Sequence, residues 1–139
     1  EEQRSRVKVM FDYDKAFDYK KPSIQIVGKW QPWHQGHTNL FKKALTFTGQ
    51  VVIIVKDVYK SEGEDSPFGE IDVVNQITIS LEKEGYYDGQ QYIIVCTPNI
   101  VGSLNGPGNG ISNYDMKSSG LDYIMSSEIR EQLRKEGKL

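Results

Sequence analysis

Both histidines and both tryptophans of this 139-residue chain lie within one run of ten, Gly28-Lys29-Trp30-Gln31-Pro32-Trp33-His34-Gln35-Gly36-His37. Two imidazoles three positions apart could ligate a metal ion or donate hydrogen bonds to an anion. A structural zinc needs four ligands, and Cys96 is the only thiol, with no third ligand evident near the pair. Phosphate is the better match. The glycine between the histidines allows close approach of a ligand or of backbone. Trp30 and Trp33 read as packing residues that brace the loop, with base stacking as the competing role.

The elements around this run set its position. Ser23 to Val27 has the pattern of a core strand ended by Gly28. Gly36 to Thr48 places Leu40, Phe41, Ala44, Leu45 and Phe47 near helical spacing, with Gly49 as its stop. His37 therefore opens a helix, where free backbone N–H groups and the positive end of the dipole favour an anion. Val51 to Val55 is uniformly apolar and β-branched, as in a parallel strand buried on both faces, and completes a right-handed βαβ unit. A second helix is expected over Ile71 to Lys83, with Ile71, Val74, Ile77 and Leu81 on one face, and a third strand over Tyr92 to Cys96.

Toward the ends the pattern weakens. Arg6 to Phe11 alternates Val7, Val9 and Phe11, as an edge strand would, and residues 12 to 22 form an excursion before the core. Pro98 to Gly110, with four glycines and two prolines, is a lid or a surface loop. It is no Walker loop, lacking Gly-Lys-[Ser/Thr]. Asp115 to Tyr123 fits no single pattern, whereas Ser126 to Lys135 carries Ile129 and Leu133 four apart and reads as an amphipathic helix. Alternating strands and helices predict an α/β fold, an open and mostly parallel Rossmann-like sheet with helices on both faces. One domain over 1–139 is expected, with 23–135 as its core. Ligands of such sheets sit beyond the carboxyl ends of the strands.

Composition narrows the partners. With 17 basic and 19 acidic residues, 37% apolar and 26% charged, the chain is neither disordered in character nor a polyelectrolyte binder. A net charge of −2 argues against general nucleic-acid binding. No apolar run approaches the ~18 residues of a membrane span. The amino terminus, Glu1-Glu2-Gln3-Arg4, lacks a signal-peptide core. The single cysteine, in an apolar strand, fits a reducing compartment, so a cytoplasmic protein without membrane or nucleic-acid partners is expected.

The run from Gly28 to His37 resembles the G-[RK]-[FW]-x-P-[FW]-H-x-G-H signature of the nucleotidylyltransferase superfamily. It is most similar to the branch holding archaeal-type nicotinamide mononucleotide adenylyltransferases and cytidylyltransferase-like domains. The second signature of that superfamily, I-S-x-T-x-I-R, is matched by Ile124-Met125-Ser126-Ser127-Glu128-Ile129-Arg130, with Met125 in place of serine and Ser127 at the threonine position. Pro67-Phe68 resembles the Asn-Pro-Phe preceding a helix in the same branch.

The resemblance implies that AMP or CMP is moved from ATP or CTP onto a small phosphorylated acceptor, with release of pyrophosphate and no covalent enzyme intermediate. His34 and His37 would bond the α- and β-phosphate oxygens, and Lys29 the acceptor phosphate or the triphosphate. Arg130, Ser126 and Ser127 would hold the β- and γ-phosphates. Gly28, Trp30, Gln31, Pro32 and Gly36 belong to the same nucleotide-binding loop. Lys43 is implied to reach the phosphates, with Lys42 as the competing choice. Lys56, at the carboxyl end of the second core strand, is placed to meet an anion. Mg²⁺ is implied, held mainly by triphosphate and water rather than by a protein cage. A homo-oligomer, most simply a dimer, is the expected assembly. A nucleotide-binding or sensor domain without turnover is the alternative within the same fold.

Overall fold

The structure, a computed structural model, describes residues 15–59, 68–114, 131 and 133–137. Three parallel strands alternate with two helices: β1 (Ile24–Gly28), α1 (Gln35–Thr48), β2 (Val51–Lys56), α2 (Glu70–Glu82) and β3 (Tyr92–Thr97). The sheet order is β1-β2-β3, with β2 in the middle. Gly28 is in register with Val55, and Lys56 with Thr97. All three strands therefore end together, and the residues that follow them emerge at one edge of the sheet. This is the open, parallel α/β sheet that the sequence predicts. The expected edge strand over 6–11, the ambiguous stretch 115–123 and most of the helix over 126–135 lie outside the described residues.

One core joins Phe41 and Ala44 of α1, Val73, Ile77 and Leu81 of α2, and Ile26, Val51, Ile53, Val55 and Tyr92 of the sheet. Side chains alternate along a strand, so both helices cover the face of Val51, Ile53 and Val55. Each such large apolar side chain contributes about 1.5–3 kcal/mol on burial. Val52 and Ile54, on the other face, are only partly covered by described residues, as are Val27 and Val95 beside them. The expectation that β2 is buried on both faces is thus met on one face among the described residues. The apolar run alone could not show this, because Val and Ile occupy both faces.

Helix α2 also presents a slightly different face from the one predicted. Its buried stripe is Val73, Ile77 and Leu81, at i, i+4 and i+8. Ile71 stands two residues before that stripe, about 200° around the helix, and is 75% exposed. Glu70 and Asp72 occupy its first turn, where negative charge complements the helix dipole. Helix α1 ends as predicted at Gly49, whose φ of 79° supplies the left-handed cap and whose N–H donates to the Leu45 carbonyl. At the opposite end of the sheet, the buried Gln50 amide donates to the carbonyls of Asp18 and Lys21 and to Ser23 Oγ. This fixes the chain entering β1. No described helix is long and apolar enough to cross a membrane.

Candidate functional site

The loop between β1 and α1 is held by its own large side chains. Trp30 has φ of 53°, a region that bulky residues rarely occupy. Two contacts maintain it. Its indole Nε1 donates to the Ile54 carbonyl at 2.8 Å, and its ring lies so close over Gly28 that a Cβ there would fall 3.0 Å from the ring. Gly28 is thus required by Trp30 rather than by its own φ. Trp33 Nε1 donates to Thr38 Oγ1 at 2.9 Å, tying the loop to the first turn of α1. Both indoles are buried, and their rings meet at 5.0 Å. The buried Gln31 amide grips the Phe68 backbone from both sides, Nε2 donating to its carbonyl at 2.9 Å and Oε1 accepting from its N–H at 2.8 Å. The β1–α1 loop is therefore clamped to the segment that leads into α2.

On this rigid loop the two imidazoles form a reciprocal cap. His34 is the N-cap of α1, and its Nδ1 accepts from the Gly36 N–H at 3.0 Å. His37 Nδ1 accepts in turn from the His34 N–H at 3.3 Å. A backbone N–H can only donate, so both Nδ1 atoms carry lone pairs and each neutral ring has its proton on Nε2. The rings stack at 3.6 Å between centroids, and Trp30 lies edge-on to His37 at 4.7 Å. Burial, with the neighbouring His34 second, lowers the His37 pKa from 6.5 to about 3. His37 is therefore a neutral Nε2–H donor, suited to an anion and unsuited to acting as a charged acid near neutral pH.

That lowered pKa has a definite sign for stability. The native state holds His37 neutral, while the unfolded chain binds a proton below about pH 6.5. The stabilisation is complete above that value and declines as the pH falls towards 3, by at most ~1.4 kcal/mol per pH unit. Denaturant titrations at several pH values should show this decline in the wild type and a shallower one in His37→Gln. Equal slopes would mean that His37 is not held neutral.

A cleft of ≈ 1210 Å³ runs along β1 and α1, with Gly28, Lys29, Gln31, His37 and Lys43 in its wall. Its far side is formed by residues 110–114, where Tyr114 packs on Phe47 at 4.8 Å. Lysines 42 and 43, open alternatives in the sequence, separate here. Lys42 Nζ bonds Glu84 at 2.8 Å, whereas Lys43 lines the cleft. Lys56 Nζ donates to the Ile100 carbonyl at 3.1 Å, which ties β2 to the loop after β3. Lys29 Nζ stands 3.6 Å from Asp57 Oδ2. Pro32 is buried beside the tryptophans, and Gly36 lies buried in the first turn of α1. Ser126, Ser127 and Arg130 lie outside the described residues, as does Pro67.

Two features in and beside the cleft escape sequence reading. Asp57 is a carboxylate directly after β2, and only its neighbour Lys56 stood out by strand position. The wall at 110–114 depends on a contact between Phe47 and Tyr114 that no local pattern signals. A smaller hollow of ≈ 560 Å³ between Trp33 and α2 carries Asp72 and no basic residue among its described lining, which disfavours a polyphosphate there. No group of three or more His, Cys, Asp or Glu side chains gathers among the described residues. Cys96, partly buried on the core, has its thiol pKa raised chiefly by that burial, the condition of a packed thiol.

Comparison with known proteins agrees with the motif resemblance. No family model matches the chain. A nicotinamide-nucleotide adenylyltransferase of Methanococcus aeolicus is 32% identical over 69 residues, covering 50% of this chain and 38% of the relative. The same-named protein of Methanococcus vannielii is 33% identical over the same span and shares. Among solved structures, a bifunctional NMN adenylyltransferase/ADP ribose pyrophosphatase from Francisella tularensis, complexed with AMP and a manganese ion, is similar at TM-score 0.45 and 18% identity. That likeness covers 55% of this chain and 22% of the other. Over those 69 residues the chain is similar to proteins named nicotinamide-nucleotide adenylyltransferase. The match spans well under half the length of these curated relatives.

Proposed function

We propose that this chain transfers an adenylyl group from ATP to the phosphate of a small phosphorylated acceptor, releasing pyrophosphate. Nicotinamide mononucleotide is the acceptor that the names of the relatives recommend first. The observation that carries the reading is the fixed tautomer of His34 and His37. Both Nδ1 atoms are occupied by backbone donors at the mouth of α1, so each ring offers only an Nε2–H.

An acceptor phosphate oxygen attacks the α-phosphorus as the bond from that phosphorus to the bridging oxygen breaks, and pyrophosphate leaves with the bonding electrons. No protein nucleophile is needed, and the task is positioning and stabilising charge. His37 and His34 donate to phosphate oxygens as charge shifts towards the leaving group. Lys29 and Lys43 bring positive charge to the same cleft, and the N–H groups of the first turn of α1 add theirs. Arg130, Ser126 and Ser127 are assigned by motif to the β- and γ-phosphates. Mg²⁺ would be held mainly by the triphosphate oxygens and water rather than by protein side chains, and would supply neutralisation of phosphate charge.

Pyrophosphate release measured across ATP, CTP and a panel of phosphorylated acceptors tests the reading. Release is expected with ATP above CTP, and binding without release would identify a sensor domain instead. The two neighbouring lysines provide a sharper check. Lys43→Ala should weaken ATP binding by about tenfold, as loss of one charge-assisted contact would. Lys42→Ala, which removes only an exposed pair with Glu84, should leave it unchanged. Equal effects in a calorimetric titration would remove Lys43 from the site.

A further inference from the structure

We infer that Asp57 is a positioning residue that holds the Lys29 ammonium at the carboxyl end of the sheet for the transfer step. This rests on the adenylyl-transfer reading above. Lys29 directly follows β1 and Asp57 directly follows the adjacent parallel strand β2, and with Gly28 in register with Val55 the two leave the sheet edge within one residue of each other. The Asp57 backbone is fixed independently of its side chain. Its N–H donates to the Thr97 carbonyl at 3.0 Å, and its φ of 61° lies in the left-handed region, where Asp and Asn are tolerated better than most residues.

The two side chains of the pair are unequally covered. The Asp57 side chain is 10% exposed and that of Lys29 is 39% exposed, so the carboxylate is largely covered while Lys29 lines the cleft. Their separation of 3.6 Å exceeds the 2.7–2.9 Å of a tight charge-assisted bond. An ammonium has three donors, and one loose partner leaves capacity for a phosphate oxygen. Lysine is a flexible point charge that lacks the rigid fork of an arginine. An anchored carboxylate supplies the orientation that such a side chain lacks.

The pairing has opposite effects on binding and on turnover. Asp57 partly neutralises Lys29 and so opposes the anion in the ground state, while it narrows the positions that the ammonium samples in the transition state. Asp57→Asn keeps the shape and the left-handed tolerance and removes the charge. It should lower kcat by about tenfold or more, with ATP affinity unchanged or tighter.

The test measures kcat for pyrophosphate release and calorimetric ATP affinity in wild type, Asp57→Asn, Lys29→Met and the double variant. Asp57→Gly, which also accepts the backbone, serves as a second variant with the same expectation. The loss on removing Asp57 should vanish in the Lys29→Met background. Wild-type kcat in both Asp57 variants, alongside an inactive His37→Ala, overturns this inference alone. An equal loss with and without Lys29 also overturns it, because Asp57 would then act independently. A wild type that neither binds ATP nor releases pyrophosphate overturns the functional reading, and this inference with it.

Discussion

Replacing His37 by alanine is expected to lower pyrophosphate release about 10²–10³-fold, the usual cost of removing one preorganised donor from a charge-developing oxygen. The ring lies almost wholly buried among Trp30, Trp33 and His34, so its donor is fixed before substrate arrives. His34 calls for a different substitution. Alanine there would remove the N-cap of α1 together with the proposed donor to phosphate, at a cost of about 1 kcal/mol in stability. His34→Asn keeps a good cap and loses the imidazole Nε2–H, so it should lose turnover by a similar factor while melting close to wild type. Steady-state rates beside thermal melts check both variants. Turnover of His37→Ala within a few-fold of wild type would remove the imidazoles from the chemistry.

The largest expected loss of stability comes from Trp30→Ala, at about 3–5 kcal/mol. The indole is 5% exposed, covers Gly28, contacts Trp33 and His37, and donates to the Ile54 carbonyl. Removing it leaves a cavity under the loop and that carbonyl without its indole donor, and nothing then opposes relaxation of the backbone from φ 53°. Trp30→Phe should recover part of the stability by filling space, without the hydrogen bond. Chemical denaturation at neutral pH gives both values. A Trp30→Ala variant as stable as wild type would mean that the loop does not depend on this ring.

The sheet and helices were legible because their signals are local. β-branched residues from Val51 to Val55 and the glycine stop at Gly49 place β2 and α1 to within a residue of their observed ends. The βαβ order followed from alternation, and the expected place of a ligand at the strand ends followed from that order. What stayed hidden depends on partners distant in sequence. Lys42 and Lys43 are indistinguishable until Glu84 claims the first. Asp57 gains meaning only beside Lys29, 28 positions earlier along the chain. Gln31 reads as a binding residue by motif, and its amide is engaged with Phe68. The helical face of α2 was misjudged by including Ile71, because a stripe of four apolar residues can be drawn through the helix in more than one way.

The central claim is transfer of the α-phosphoryl group as AMP to an acceptor phosphate. ATP labelled at its α-phosphorus, incubated with the purified chain, Mg²⁺ and nicotinamide mononucleotide, tests it most directly. The label should appear in a dinucleotide product, with one pyrophosphate released for each transfer and none of the label bound to protein. Label that stays in ATP across the acceptor panel, or that passes only to free AMP, would contradict the account.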